Sequence, residues 1–164
     1  MSARVLDSLR WMTLAMLMVF SGPGLAEDGP PVPDALVFMD MIRNAVLAVD
    51  TGNKTGDYSA LREMGNPQFQ SRITNSELAN QFTKLRALGL DLSAVKTMMP
   101  LTTRPPTLDR NGLLRILGYF EMPERRLIYD VVYTYDPAGK QWQLASILIN
   151  PRELPPEPKL LQPE

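Results

Sequence analysis

Three stretches in the first half of the chain have the apolar spacing of amphipathic helices. The first predicted helix runs from about residue 35 to 51, with Asp34 as its N-cap and polar residues as far as Asp50 on one side. A short second helix is predicted in DYSALREMG. The sequence TNSE at residues 74–77 matches a capping box, which opens a third helix ending near Leu88.

From Val95 onward the pattern changes to the alternation of apolar and polar residues that is typical of strands. Four segments show it, namely VKTMMPLTT, LLRILGYFEM, RLIYDVVYTY and QWQLASILIN. The turn sequences DRNG and DPAG and the short connector MPER separate them, which predicts an antiparallel meander. Helices followed by an antiparallel sheet predict an α+β fold, with three N-terminal helices packed on a sheet of about four to five strands.

Alternation also separates the two faces of the predicted sheet. The face expected to look toward the helices carries no charge and contains Leu114, Ile116, Gly118, Phe120, Leu127, Tyr129, Val131, Tyr133 and Tyr135. On the other face, a symmetric hairpin around Pro123 would place Glu121 opposite Arg126 and Arg115 diagonal to Asp130. We expect these charged pairs to face solvent.

The solvent face also carries apolar residues, which we assign as Ile128, Val132, Ala145, Ile147 and Ile149. A monomer usually exposes less apolar surface than this. The pattern predicts either a homodimer that pairs through this face or a cover formed by the chain's tail or another helix.

The first 26 residues have the composition of a secretory signal peptide. The basic residues Arg4 and Arg10 precede the apolar run WMTLAMLMVF, and Gly24 and Ala26 stand where a signal peptidase reads small residues. About ten apolar residues are too few to cross a hydrocarbon core, which needs about twenty in a helix. We therefore predict cleavage after Ala26, a periplasmic or secreted location, and no stable membrane anchor after cleavage.

The remaining chain is predicted to form one domain. Residues 27–33 are a proline-rich lead, residues 34–150 form the folded unit, and residues 151–164 are a proline-rich tail that we expect to be disordered.

Charge and residue types exclude several classes of function. Of the 164 residues, 17 are basic and 18 acidic, with no basic stripe of the kind that binds nucleic acid. The chain contains no cysteine and no histidine. This removes disulfides, Ser-His-Asp triads and the usual zinc and copper ligand sets, and we predict no metal and no cofactor.

The segment TGNKTG at residues 51–56 looks like part of a phosphate-binding loop, but its spacing is wrong and a helix precedes it. Its NKT also fits an N-glycosylation acceptor at Asn53. We interpret the segment as a connector, in which Gly52 and Asn53 take the left-handed backbone that ends the first helix, Thr55 caps the next helix and Gly56 eases the reversal.

Three segments resemble the nuclear transport factor 2-like superfamily, which also houses ketosteroid isomerase. They are ALREMGNPQFQ after a helix pair, the strand NGLLRILGYF, and the closing strand GKQWQLASILIN, in which Trp142 stands two residues before Leu144. The resemblance covers about residues 34–150 and extends to exported bacterial members of the superfamily. It implies a cone, in which a curved sheet wraps a pocket between itself and the helices.

In such a cone, an apolar pocket for a small hydrophobic ligand would be lined by Met98, Met99, Phe120, Tyr129, Tyr133, Tyr135 and Trp142. The same side chains would otherwise fill the cone as ordinary core.

Enzymes of the ketosteroid isomerase type need a carboxylate base inside the cone and a tyrosine or protonated acid beside it. The candidates are Asp130 with Tyr129 or Tyr133, but the predicted strand phase points Asp130 outward, and only a one-residue slip would place it inside. We therefore predict an exported, non-catalytic module for ligand binding or assembly, with an isomerase or dehydratase as the alternative.

Overall fold

The computed structural model describes residues 30–154, and five α-helices occupy the first half of this range. Their bounds are Ala35–Thr55 (α1), Ser59–Glu63 (α2), Pro67–Arg72 (α3), Asn75–Gln81 (α4) and Thr83–Ala87 (α5). A 3-10 helix, Leu92–Lys96, leads from the helices to the sheet.

Five antiparallel strands follow the helices. They are Leu101–Thr102 (β1), Thr107–Leu108 (β2), Leu114–Glu121 (β3), Arg125–Asp136 (β4) and Gln141–Glu153 (β5). The sheet is open and runs in the order β1-β3-β4-β5, with β2 also paired to β3. The predicted α+β class and the meander of the three long strands are confirmed.

The helix start signals are confirmed, whereas the number of helices differs from the prediction. Asp34 caps α1 by accepting from the amides of Leu36 and Val37, and Thr74 and Glu77 cap each other's amides in the capping box of α4. The predicted third helix is divided at Phe82 into α4 and α5. The short helix α3, which starts with a proline in its first turn, was not predicted.

The first helix does not end at Gly52, as we had predicted, but continues to Thr55. Gly52 is helical, and the ring of Tyr58 lies where a side chain at position 52 would stand, which explains a glycine within the helix. Gly56 is the left-handed residue that ends α1, with φ of 80°. This conformation agrees with its predicted role of easing the chain reversal after the helix. The hydroxyl of Thr55 accepts from the Asp57 amide in the connector, while the N-cap position of α2 is Tyr58.

The segment VKTMMPLTT is mostly not a strand. Its first residues complete the 3-10 helix, which Asp91 caps through the Ser93 amide, and only Leu101 and Thr102 pair with β3. Alternation was misleading here because a short 3-10 helix also brings scattered apolar residues to the core.

The predicted faces of β3 and β4 are confirmed. Gly118 lies opposite Tyr129, and Glu121 lies opposite Arg126. The guanidinium of Arg115 forms an ion pair with Asp130 on the outer face. The inward residues pack with the helices into one core, in which Tyr129, Phe120 and Leu114 are fully buried.

A β-bulge at Ala145 reverses the phase of β5. Val132 pairs with Ser146 while Tyr133 pairs with Leu144, so Ala145 is the extra residue. Beyond the bulge Ile147 and Ile149 therefore face inward, and they are only 5% and 7% exposed. Our assignment of these two residues to the outer face was wrong.

The last strand forms one edge of the sheet and is longer than predicted. It continues through Pro151 to Glu153, so residues 151–153 belong to the sheet and not to a disordered tail. The helical half also contacts this edge. The Leu144 amide donates to the Met64 carbonyl, the Asn66 amide donates to the Leu144 carbonyl, both at 2.8 Å, and the Gln81 side chain donates to the Ile147 carbonyl at 2.8 Å.

Candidate functional site

The space between the helices and the sheet is packed with the protein's own side chains. Phe120 and Tyr129 are fully buried, with ring centroids 5.5 Å apart, and the Tyr129 hydroxyl donates to the Leu101 carbonyl at 3.0 Å. Burial raises the pKa of the Tyr129 phenol well above its ordinary value. These two predicted pocket residues are therefore part of the core.

The two methionines predicted to share the pocket lie in different environments. Met98 packs against the core, and its carbonyl accepts two hydrogen bonds from the Arg43 guanidinium, each 3.1 Å long. Met99 is 63% exposed. Met98 therefore packs against the core that contains Tyr129 and Tyr133, whereas Met99 is largely exposed.

An open cleft of about 450 Å³ lies where α1, the segment from α2 to α3 and the β4–β5 hairpin meet. We call it the mouth cleft. Its lining residues are Met41, Asn44, Glu63, Met64, Gly65, Gln70, Tyr133, Gln141, Trp142 and Gln143. Of the predicted pocket residues, only Tyr133 and Trp142 line it. The ring of Tyr135 packs against that of Trp142, with the ring centroids 5.3 Å apart.

The walls of the mouth cleft are held in place by hydrogen bonds within and between them. The Tyr133 hydroxyl donates to the Met41 carbonyl at 2.9 Å, which joins β4 to α1. The side-chain amide of Gln70 donates to the Gly65 carbonyl at 2.7 Å. Burial raises the pKa of the Tyr133 phenol, so this hydroxyl remains protonated and serves as a structural donor.

Sequence reasoning missed the polar lining of this cleft. Four carboxamides line it, which are Asn44, Gln70, Gln141 and Gln143, together with the carboxylate of Glu63. The only local signal was the sequence QWQ around Trp142. Nothing local indicated that residues of α1 and the α2–α3 segment would meet it.

The residues of the alternative catalytic site are on opposite sides of the sheet. Asp130 is on the outer face, where its ion pair with Arg115 holds the pKa of the carboxyl below its usual range. Tyr129 and Tyr133 point inward. The observed register therefore does not place Asp130 beside either tyrosine.

One carboxylate is buried among the described residues, and it is fully engaged. Asp50, which we had placed on the polar side of the first helix, accepts from the Leu92 amide at 3.2 Å and from the Lys54 ammonium at 2.7 Å. Lys54 also donates to Asp91 at 3.0 Å. The cluster fastens the C-terminal end of α1 to the 3-10 helix, so the NKT segment has a structural role at this point.

The outer face of the sheet carries an apolar band different from the predicted one. Ile128 and Val132 belong to it as predicted, whereas Ala145 sits in the bulge. We define the outer band by its members, Leu117, Tyr119, Ile128, Val132 and Leu148. Leu148 is 56% exposed, and the Arg126 guanidinium lies 4.6 Å from the centre of the Tyr119 ring.

Comparisons with protein-family models, with curated proteins and with solved structures gave no match to this chain. The resemblance to the nuclear transport factor 2-like superfamily therefore stays a prediction.

Residues 30–154 contain neither an acidic cluster that could hold a metal ion nor a membrane-spanning helix. No three acidic side chains come together there as a metal site would require. No helix in that range is long and apolar enough to span a bilayer. The predicted signal peptide and most of the predicted tail lie outside the described residues.

Proposed function

We propose that this protein is an exported, non-catalytic assembly module whose copies pair through the outer band of the sheet. The observation that carries the proposal is the outer band itself, in which Leu148 is 56% exposed and the other four residues are half-buried, on a sheet whose other face is closed by the helices. Burying such a surface between two copies removes apolar area from water, which favours association.

The charges around the outer band are compatible with a second copy of the same chain. Among the charged residues on this face are Arg115, Arg126, Arg152, Glu121, Asp130 and Asp136, and Arg104 lies close enough to Asp130 to lower the pKa of its carboxyl. Two ion pairs, Arg115 with Asp130 and Arg126 with Glu121, already neutralise four of these charges. Two such faces therefore meet without strong repulsion, as a two-fold interface requires.

Two features support a non-catalytic role. The inward-facing Tyr129 and Tyr133 donate to main-chain carbonyls, and the buried Asp50 carboxylate is paired with Lys54. An acid/base enzyme of the ketosteroid isomerase type would need a carboxylate among those tyrosines, whereas Asp130 is on the other side of the sheet. The resemblance to exported members of the superfamily and the signal-like sequence before Ala26 support export.

The proposal is tested by sedimentation equilibrium of the wild type and two matched variants. Leu148→Glu puts a charge into the outer band, while Leu36→Glu makes the same change at a residue of α1 that is 74% exposed. We expect the wild type and Leu36→Glu to sediment as dimers. Leu148→Glu should weaken pairing by about a hundredfold, because the interface would have to bury two charges.

A wild type that remains monomeric at high concentration would contradict the pairing. Equal dimerisation of the two variants would show that another surface is used. Export is tested separately by sequencing the N-terminus of the protein recovered from the medium or periplasm, where we expect the chain to begin at Glu27.

A further inference from the structure

We propose that the mouth cleft binds a small organic cation, namely an ammonium group carried on an apolar body. The inference rests on the cleft alone and does not depend on pairing of copies through the outer band.

The charge of the cleft favours a cation. Glu63 is the only charged residue among the described residues that line it, and neither lysine nor arginine is present there. The carboxylate of Glu63 makes no ion pair with any residue between 30 and 154. An anionic ligand would meet an uncompensated like charge in this cleft, whereas an ammonium group would find a counter-ion.

The apolar part of the lining suits the body of such a ligand. The indole of Trp142 packs against Tyr135 at an interplanar angle of 56°, and the half-buried side chains of Met41 and Met64 rest on the core. An indole face attracts a nearby cation as well as apolar groups, and thioethers adapt to irregular shapes. The ring of Trp142 is thus available to the ammonium group, and the side chains of Met41 and Met64 are available to the carbon chain.

The carboxamides supply acceptors that are not used inside the protein. The side chains of Asn44, Gln141 and Gln143 form no hydrogen bond with other described residues, and Gln70 uses only its amide nitrogen. Their carbonyl oxygens are neutral acceptors for the N–H groups of an ammonium ion. The cleft volume of about 450 Å³ lies in the range of ordinary small-molecule sites.

The protein's own hydrogen bonds join the two walls of the cleft. The Met64 carbonyl accepts from the Leu144 amide at 2.8 Å, and the Tyr133 hydroxyl fixes β4 to α1 beside Met41. These contacts connect the helical wall to the strand wall, so binding does not require the walls to be assembled.

The test uses three probes that share one carbon body and differ in charge: 4-phenylbutylammonium, 4-phenylbutanol and 4-phenylbutyrate. The full chain has two tryptophans, Trp11 and Trp142, so Trp11→Phe leaves the indole of the cleft as the only tryptophan reporter. Fluorescence is titrated at constant ionic strength. We expect a saturable change with the ammonium probe, and binding about tenfold weaker or more with the alcohol and the carboxylate.

A matched pair of variants identifies the counter-ion. In the same background, Glu63→Gln keeps the shape of the side chain and removes its charge, and we expect it to weaken binding of the ammonium probe by about tenfold. Glu124→Gln makes the same change at an exposed residue outside the cleft, and its affinity should equal that of the background protein.

Three results would overturn the proposal. They are no saturable change up to the solubility limit of the ammonium probe, equal affinity for the three probes, and equal affinity of the two glutamine variants. Circular dichroism of each variant confirms that the fold is kept. The mass measured in sedimentation reports on pairing, so failure of this site is distinguishable from failure of the proposed assembly role.

Discussion

Gly118 lies directly opposite Tyr129, and the tyrosine occupies the space that a side chain at position 118 would need. The Leu101 carbonyl, which accepts the Tyr129 hydrogen bond, lies over the same position. Absence of a Cβ at residue 118 is therefore what allows β1, β3 and β4 to meet around one phenol group.

We predict that Gly118→Ala lowers the free energy of unfolding by about 3 kcal/mol, because the new methyl group collides with main chain as well as with the tyrosine. Urea unfolding checks this, with Ser146→Ala on the outer face of β5 as the control, which should change stability by less than about 0.5 kcal/mol. Equal midpoints for the two variants would mean that β1 does not lie over Gly118.

The buried Asp50 carboxylate should be a major contributor to stability. Asp50→Ala leaves the Leu92 amide without its acceptor and Lys54 without its closest partner, so we expect a loss of about 2–4 kcal/mol. Asp50→Asn retains an acceptor for Leu92 and should lose less.

The control for this prediction is Asp40→Ala in the same helix. Asp40 pairs with Arg43 at 3.2 Å, but its side chain is 69% exposed, so its removal should cost less than about 0.5 kcal/mol. Similar losses for Asp40→Ala and Asp50→Ala in urea unfolding would contradict the structural role of the Asp50 cluster.

Stability should fall in acid through Asp91. Hydrogen bonds from the Ser93 hydroxyl, the Lys54 ammonium and the Ser93 amide lower the pKa of this carboxyl to about 2 in the folded protein. An unfolded aspartate titrates near pH 3.9, so the stabilisation is complete above about pH 4 and is lost as the pH falls toward 2.

We therefore expect the free energy of unfolding to decrease between about pH 4 and pH 2, and to decrease less steeply in Asp91→Asn. Ser93→Ala removes the largest cause of the lowered pKa and should also flatten this dependence. Urea titrations at several pH values and constant ionic strength measure the slope. An unchanged slope in both variants would show that Asp91 does not contribute.

The bulge at Ala145 predicts opposite outcomes for neighbouring residues of β5. Ile147→Asp places a carboxylate in the core and should cost about 3 kcal/mol or more, whereas Leu148→Asp places it in solvent and should change the stability of the monomer little. Thermal unfolding at low protein concentration compares the two variants. A greater loss of stability in Leu148→Asp than in Ile147→Asp would mean that Leu148 faces the core and Ile147 faces solvent, as simple alternation without a bulge predicts.

Local signals predicted much of the fold. The Asp34 cap, the Thr74–Glu77 capping box and the pairing of Gly118 with Tyr129 all follow from residue chemistry and strand alternation, and all three are observed. Such features depend on residues close in sequence or on one hairpin, which is why one sequence is enough to predict them.

Features that depend on distant contacts were not predicted. Ala145 and Ser146 carry no signal for a bulge, and one inserted residue exchanged the faces of Ile147 and Leu148. Asp50 lies on the polar side of its helix, but the 3-10 helix packs over it. The mouth cleft forms only where the β4–β5 hairpin meets α1 and the α2–α3 segment, so the sequence indicated Trp142 and Tyr133 but not Glu63.

The edge of β5 has a consequence for how copies of this protein can meet. Along this edge, the main-chain groups of Leu144 and the carbonyl of Ile147 already form hydrogen bonds with residues of the helical half. Pro151, in the same strand, has no N–H to donate. A strand from another molecule would find few free partners along this edge, so continuous growth of the sheet into a fibre is disfavoured. Replacing Pro151 with valine would restore a donor there, and the resulting protein should form fibres more readily.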